Sequence, residues 1–330
     1  MADAMITDTF LRDQLLDRRQ RLEAVLAGSR EHADLTQLLD QVDSALKRMD
    51  RGTFGVCEYC HEDIGKEWLL TNPLTRFCLE HLSPGERSLL EQDLELASQI
   101  QRDMLPKPHL VFKGWEIAYH YKPVGAVSGD YCDVVASDGH GDSLFFILGD
   151  VSGKGLAASL LMSHLRAIFR ALIPAGLPLD KLVEQAGRIF CESAMAPYFA
   201  TLVCGKASGS GEVQVSNAGH CAPLVVRDGQ VTRLEATGVP LGLFCEGRYT
   251  SERVNLRAGE SILLYTDGLS EARNAADEEY GEARLRALAS RHQTTPAPAL
   301  VSACVQEVTS FRAGAAVTDD MTIMAIRRLA

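Results

Sequence analysis

Four short acidic stretches in the last two thirds of the chain each set aspartates at the end of an apolar run: Ser128-Gly129-Asp130-Tyr131-Cys132-Asp133, Gly149-Asp150-Val151-Ser152-Gly153-Lys154-Gly155, Thr266-Asp267-Gly268 and Thr318-Asp319-Asp320-Met321-Thr322. Strands that bring their ends to one edge of a sheet converge such carboxylates from distant positions, and oxygen donors suit Mg²⁺ or Mn²⁺ better than zinc. The chemistry they point to is metal-dependent hydrolysis. The glycines around Lys154 invite a phosphate-loop reading, but Leu148 stands where that motif has its first glycine and no Ser or Thr follows Lys154.

A second set of donors lies earlier. Cys57 and Cys60 form one short pair and Cys78 and His81 another, the spacing of a tetrahedral structural zinc site of the Cys₃His type. His61 is the rival fourth ligand, though its side chain should diverge from that of Cys60. The other six cysteines, Cys132, Cys191, Cys204, Cys221, Cys245 and Cys304, sit in apolar or strand-like contexts and are expected to be reduced thiols acting as small hydrophobes.

The elements that must position these residues fall into three segments. In residues 1–82, Leu11, Leu15, Leu22 and Leu26 recur at helical spacing. After the Gly28-Ser29 break, Leu35, Leu38, Leu39, Val42, Ala45, Leu46 and Met49 do the same, giving a helical hairpin that leads into the zinc knuckles. Residues 83–110 form a linker helix, started by Ser83 and Pro84 with Glu86 able to close a capping box. Its residues Leu90, Leu94, Ala97, Ile100 and Met104 recur at an average near 3.5, so it reads either as a dimeric coiled-coil seam or as an amphipathic helix lying on the next domain. Residues 111–330 alternate short strands with a few helices. Hairpin signals such as Asp228-Gly229 predict an α+β fold of packed antiparallel sheets flanked by helices.

Apolar residues make up 46% and charged residues 23% of 330, ample for real cores in a soluble protein of two or three domains. With no long apolar run and no basic-then-apolar leader, the expectation is a cytoplasmic protein without a membrane segment. The formal charge of −11 argues against sequence-independent nucleic-acid binding, which depends on Lys and Arg neutralising phosphates.

Two resemblances sharpen these readings. Leu35 to Leu82, with Gly52-Thr53-Phe54-Gly55-Val56-Cys57 and Asp63-Ile64-Gly65, resembles the zinc-finger end of the DksA/TraR family, although the turn at Gly28-Ser29 lacks the paired aspartates such proteins carry at their tip. Residues 111–328 carry, in order, Ser128-Gly129-Asp130, Gly149-Asp150-Val151-Ser152-Gly153, Asn217-Ala218-Gly219-His220, Tyr265-Thr266-Asp267-Gly268-Leu269-Ser270-Glu271 and Asp319-Asp320-Met321-Thr322, and look like the SpoIIE/RsbU branch of the PPM metal-dependent protein phosphatases. The latter resemblance implies a β-sandwich flanked by helices, two Mn²⁺ or Mg²⁺ ions, and hydrolysis of phosphoserine or phosphothreonine on a partner such as a STAS-type anti-sigma-factor antagonist. It implies that Asp150 bridges the two ions, that Asp130 and the Val151 carbonyl serve one, and that Asp267 and Asp319 serve the other. Asp320 and Asp133 are second choices. His220 could donate a proton or, the favoured role, fix the Gly219 turn. The expected assembly is a homodimer through the linker helix. The alternative function is a transcription-regulating interaction protein that acts through the DksA-like module and keeps the phosphatase domain as a scaffold.

Overall fold

The computed structural model describes all residues except 1, 27–32, 66–67, 70–71, 83, 138–142, 194–197 and 228. The expected turn at Gly28-Ser29, the Ser83 cap and Asp228 therefore lie outside the described residues. The chain divides into two compact units, Met1–Asp93 and Leu94–Ala330.

In the first unit, α1 (Ala2–Leu26) packs on α2 (Ala33–Asp50) through Leu15, Leu22, Val42, Ala45 and Leu46, the apolar stripe that the periodicity marks. Gly52 ends α2 in the left-handed region, at φ 69°, where a residue without Cβ is at ease. The Gly52 and Thr53 amides then return to the Met49 and Arg48 carbonyls. Arg48, buried, donates to the carbonyls of Thr75 (2.9 Å) and Leu74 (3.3 Å) and so ties α2 to the cysteine-bearing turns. The helix α3 (Pro84–Met104) belongs to both units.

The second unit is a sandwich of two antiparallel sheets. The first has the order β1 (His109–Phe112), β2 (Trp115–Lys122), β11 (Met321–Arg328), β10 (Ser261–Tyr265), β7 (Leu224–Arg227), β8 (Gln230–Arg233). The second has the order β3 (Asp130–Ser137), β4 (Ser143–Val151), β5 (Ala200–Ser208), β6 (Glu212–Ala218), β9 (Glu252–Asn255). The central strands are apolar on both faces because both are covered. Along β4, Leu144, Phe146 and Leu148 meet Ile262, Leu264, Met324 and Ile326 between the sheets, while Phe145 and Ile147 face α4 (Gly155–Leu172) and α5 (Leu179–Ser193). On the far side, Leu263, Ile323 and Ala325 pack on α7 (Gly281–Arg291) and α8 (Ala297–Arg312). The expected α+β sandwich flanked by helices is the observed architecture. Among the described residues one stretch, Gly155–Ala175, is long and apolar enough to cross a membrane; within it Met162, Leu165, Ile168, Phe169 and Leu172 are buried in the core of this unit.

Candidate functional site

The four acidic stretches meet at one end of the sandwich. Asp130, first residue of β3, sits directly opposite Asp150 near the end of β4, and Asp150 is opposite Thr201 on β5. Asp267 opens the short helix α6 (Asp267–Ser270) after β10, and Asp319 and Asp320 precede β11, the neighbour of β10. Two glycines allow the approach. A Cβ on Gly129 would lie 3.0 Å from the Val151 carbonyl oxygen and 3.3 Å from Asp150 Oδ1, and one on Gly268 would lie 1.9 Å from the Asp320 carbonyl oxygen. Glycine is the residue that lets these backbones touch.

Asp130 is fully buried, and its Oδ2 accepts from the hydroxyls of Thr266 (3.1 Å) and Thr322. Burial, then the charge of Asp150, holds its carboxyl far above the ordinary range. Asp150 is pushed up to about 7 by burial and by Asp267 and Asp319, and Asp267 is raised by burial and by Asp319. Lys154 brings a cation, donating to the Thr318 carbonyl (2.9 Å) and to Asp319 Oδ2 (3.1 Å). Five carboxylates beside one ammonium group form an oxygen-donor set whose mutual repulsion hard divalent cations would relieve, so the residues present fit the expected ions.

Several sequence expectations need adjusting. Asp320 lies in the cluster, but its oxygens accept from the Val124 (2.7 Å) and Gly129 (3.0 Å) amides and so hold the loop ahead of Asp130. Asp133 does not reach the cluster: fully buried, it takes a forked ion pair from Arg170 of α4 (Nε to Oδ2 2.7 Å, Nη2 to Oδ1 2.5 Å). Three positions beyond Asp130 on a strand, it faces the opposite side of the sheet. His220 is buried: its amide bonds Asn217 Oδ1 (2.8 Å), its Nδ1 lies 2.8 Å from Thr201 Oγ1, and burial lowers it to about 4, so it is neutral at pH 7. Lys154, Thr266 and Thr322 were not singled out as site residues by the sequence. Only the pairing of β10 with β11 shows that the two threonines share Asp130.

On the linker helix, Ile100 of the expected seam is free of the domain and its neighbour Gln101 is the residue buried against it. Ile100 is 53% exposed, whereas Gln101 is 4% exposed. Its side-chain amide bonds Ser128 in both directions, Nε2 to the carbonyl (2.8 Å) and Oε1 from the amide (2.9 Å). A buried backbone segment two residues before Asp130 requires such a partner, and a glutamine supplies donor and acceptor together.

In the first unit, Cys57, Cys60, Cys78 and His81 place all their donor atoms within 4.8 Å of one another, the one such group of three or more among the described residues. Cys60 and Cys78 sulfurs stand 3.9 Å apart, close to the roughly 3.8 Å edge of a tetrahedron with 2.3 Å arms. His81 Nδ1 lies 3.0 Å from Cys78 Sγ and 3.9 Å from Cys57 Sγ. Burial raises the Cys57 thiol, but the Cys60, Cys78 and Tyr59 amides outweigh it and bring the thiol down to about 6, whereas Cys60, despite the Glu62 amide, is raised by burial and by the Cys57 and Cys78 sulfurs. His61 takes the left-handed turn of the first knuckle, φ 59°, and stands outside the cluster. Of the six cysteines read as reduced, Cys191 and Cys245 instead form a disulfide. Fifty-four residues separate them, and only the fold brings their Cα atoms to 5.3 Å.

The two-sheet sandwich flanked by helices is the fold of the PP2C-type phosphatases. The SiaA PP2C domain of Pseudomonas aeruginosa superposes with a TM-score of 0.64 at 21% identity, over 74% of this chain and 98% of that one. The structure of the RsbU and RsbW domains of Rv1364c from Mycobacterium tuberculosis superposes with a TM-score of 0.58 at 32% identity, over 67% of this chain and 61% of that one. Phosphoserine phosphatase RsbP of Bacillus subtilis is 27% identical over 54% of this chain and 45% of its own length. The chain belongs to the family described as Stage II sporulation protein E (SpoIIE), which matches residues 140–329. It spans about half the length of the curated relatives it matches.

Proposed function

We propose that the chain is a metal-dependent Ser/Thr protein phosphatase acting on a phosphorylated STAS-type anti-sigma-factor antagonist. The observation that carries this is the convergence of Asp130, Asp150, Asp267 and Asp319 at one sandwich end in a member of the SpoIIE family. Relatives named phosphoserine phosphatases, RsbP and RsbU, support the reaction class. Asp150 would bridge two Mn²⁺ or Mg²⁺ ions, with Asp130 and the Val151 carbonyl on one and Asp267 and Asp319 on the other. Asp320 is a further candidate ligand. Bound there, the ions would supply Lewis-acid charge and a water acidic enough to attack phosphorus.

The chain's own residues do the rest. Thr266 and Thr322 fix the buried Asp130 rotamer through its Oδ2. Asp320 positions Gly129 through its amide, and Lys154 brings positive charge to the rim, where a phosphate oxygen can take it in place of Asp319. In the same reading Cys57, Cys60, Cys78 and His81 hold one structural zinc. The protein is cytoplasmic, and it dimerises through α3, whose Leu96 (55%) and Ile100 (53%) are exposed. The test is phosphate release from a serine-phosphorylated STAS protein. Release with Mn²⁺ or Mg²⁺ and none with chelator is expected, and no release with either ion would overturn the assignment.

A further inference from the structure

The Cys191–Cys245 disulfide closes a covalent ring between α5 and the loop that follows β8. Cys191 is the last residue but two of α5, and Cys245 lies in the loop between β8 and β9. Earlier in that loop, Leu241 exchanges both backbone bonds with Ala200 (2.8 and 2.7 Å). Ala200 in turn lies opposite Val151, and the Ser152 amide bonds the Phe199 carbonyl (2.9 Å) while Ser152 Oγ accepts from the Phe199 amide (3.0 Å). Between these contacts Tyr198 sets its ring against Gly153 and its carbonyl against Gly242. The Tyr198–Ala200 segment is therefore held between the disulfide-tethered loop and the Val151-Ser152-Gly153 turn that follows Asp150.

We propose that this disulfide is a redox-labile positioning device for the Asp150–Lys154 turn, a regulation that rests on the phosphatase reading. Cys245 is exposed and Cys191 half-buried, so a thiolate from solvent can reach the Cys245 sulfur. With a dithiol reductant, one thiolate attacks Cys245 Sγ, the S–S bond breaks, and Cys191 leaves as a thiolate that takes a proton. The second thiol of the reductant then displaces Cys245 as a thiol and leaves the reductant as a disulfide. In a reducing compartment an exposed disulfide is the labile kind. Oxidation ties the exposed half of the loop to the end of α5; reduction leaves the loop held by the two backbone bonds to Ala200, by the buried Leu241 side chain against Gly187 of α5 and by the packing of Gly242 against Phe190.

The experiment compares full-length protein, oxidised and after dithiothreitol, with the Cys191→Ser/Cys245→Ser double variant, which controls for effects of the reductant on other cysteines. Two readouts are taken: amide hydrogen exchange at residues 150–154 and 198–202, and Mn²⁺-dependent turnover of a phosphoserine peptide. Reduction of the wild type should speed exchange in both segments, raise the Mn²⁺ concentration for half-maximal activity and lower kcat roughly tenfold, as a small displacement near the reacting atoms does. The double variant should match the reduced wild type and ignore dithiothreitol. Unchanged exchange at residues 150–154 on reduction, or two free thiols at Cys191 and Cys245 in protein purified in air, would overturn the clamp. Altered exchange without turnover in either state would uphold the clamp and remove the phosphatase reading instead.

Discussion

The two donor clusters are built in opposite ways. The Cys57, Cys60, Cys78 and His81 group is made by two local turns: the His61 amide returns to the Cys57 carbonyl and the His81 amide to the Cys78 carbonyl, each at 2.9 Å. Its own core is small, Leu11, Cys57, Ile64 and Leu69, with one of the four donor residues as a member. The carboxylate cluster is assembled from strand ends as far apart in sequence as Asp130 and Thr322, 192 residues, and rests on a sandwich that is complete without it. A site made of its own ligands should depend on metal to fold, whereas a site mounted on an independent core should depend on metal only to act.

The largest expected consequence is in the first unit. Cys57→Ser should abolish zinc retention and make residues 1–93 susceptible to limited proteolysis, because structural zinc contributes about 10–16 kcal/mol of apparent binding energy to such modules. The same protease should leave residues 94–330 intact. Elemental analysis of the wild type showing no zinc, or a Cys57→Ser first unit as resistant as the wild type, would remove the contrast.

Glycine substitutions sharpen it at the next scale. In Gly268→Ala the added methyl would overlap the Asp320 carbonyl, so the strands must shift at the point where Asp267 and Asp319 meet. Activity should fall by about a hundredfold and stability by about 1–3 kcal/mol. Gly52→Ala meets nothing within 4 Å and is strained only by its φ of 69°, so it should cost about 1 kcal/mol and leave turnover unchanged. Thermal melts and kcat for both variants decide the matter, and equal losses of activity would contradict it.

The smallest effect is on pH. The folded Asp150 carboxyl, raised to about 7, keeps a proton that the unfolded carboxyl gives up near its ordinary value of about 4. In chelator its contribution to stability is therefore complete below about pH 4 and lost as pH rises through about 7. Divalent cations compete with that proton, so the gain in Tm on adding Mn²⁺ should grow between about pH 5 and about pH 8, reaching roughly 5–10 °C at hundredfold excess over Kd. A gain independent of pH would show that the cation does not displace the Asp150 proton.

What was legible in the sequence follows the same division. Cys57, Cys60, Cys78 and His81 lie in short pairs whose spacing already brings four donors together, and the motif aspartates announce themselves at the ends of apolar runs. Asp133 misled because a carboxylate three positions from Asp130 shares its motif but not its face. Gln101 was not legible because apolar periodicity says nothing of a polar neighbour, whereas the buried Ser128 backbone needs a polar partner and selects it. Thr266 with Thr322, and Cys191 with Cys245, are pairs created by strand register and loop packing across long separations, which no local pattern encodes.

In the proposed function, the sandwich-end carboxylates hold the ions that carry out phosphoester hydrolysis. Calorimetric titration of Mn²⁺ into wild type and Asp150→Asn, with phosphate release from a phosphoserine substrate followed on the same samples, tests it most directly. Asp150→Asn should keep the wild-type circular dichroism, lose Mn²⁺ affinity in the second unit and lose at least about a thousandfold in turnover, the several kcal/mol that bound metal supplies. Wild-type turnover in a folded Asp150→Asn protein would contradict it.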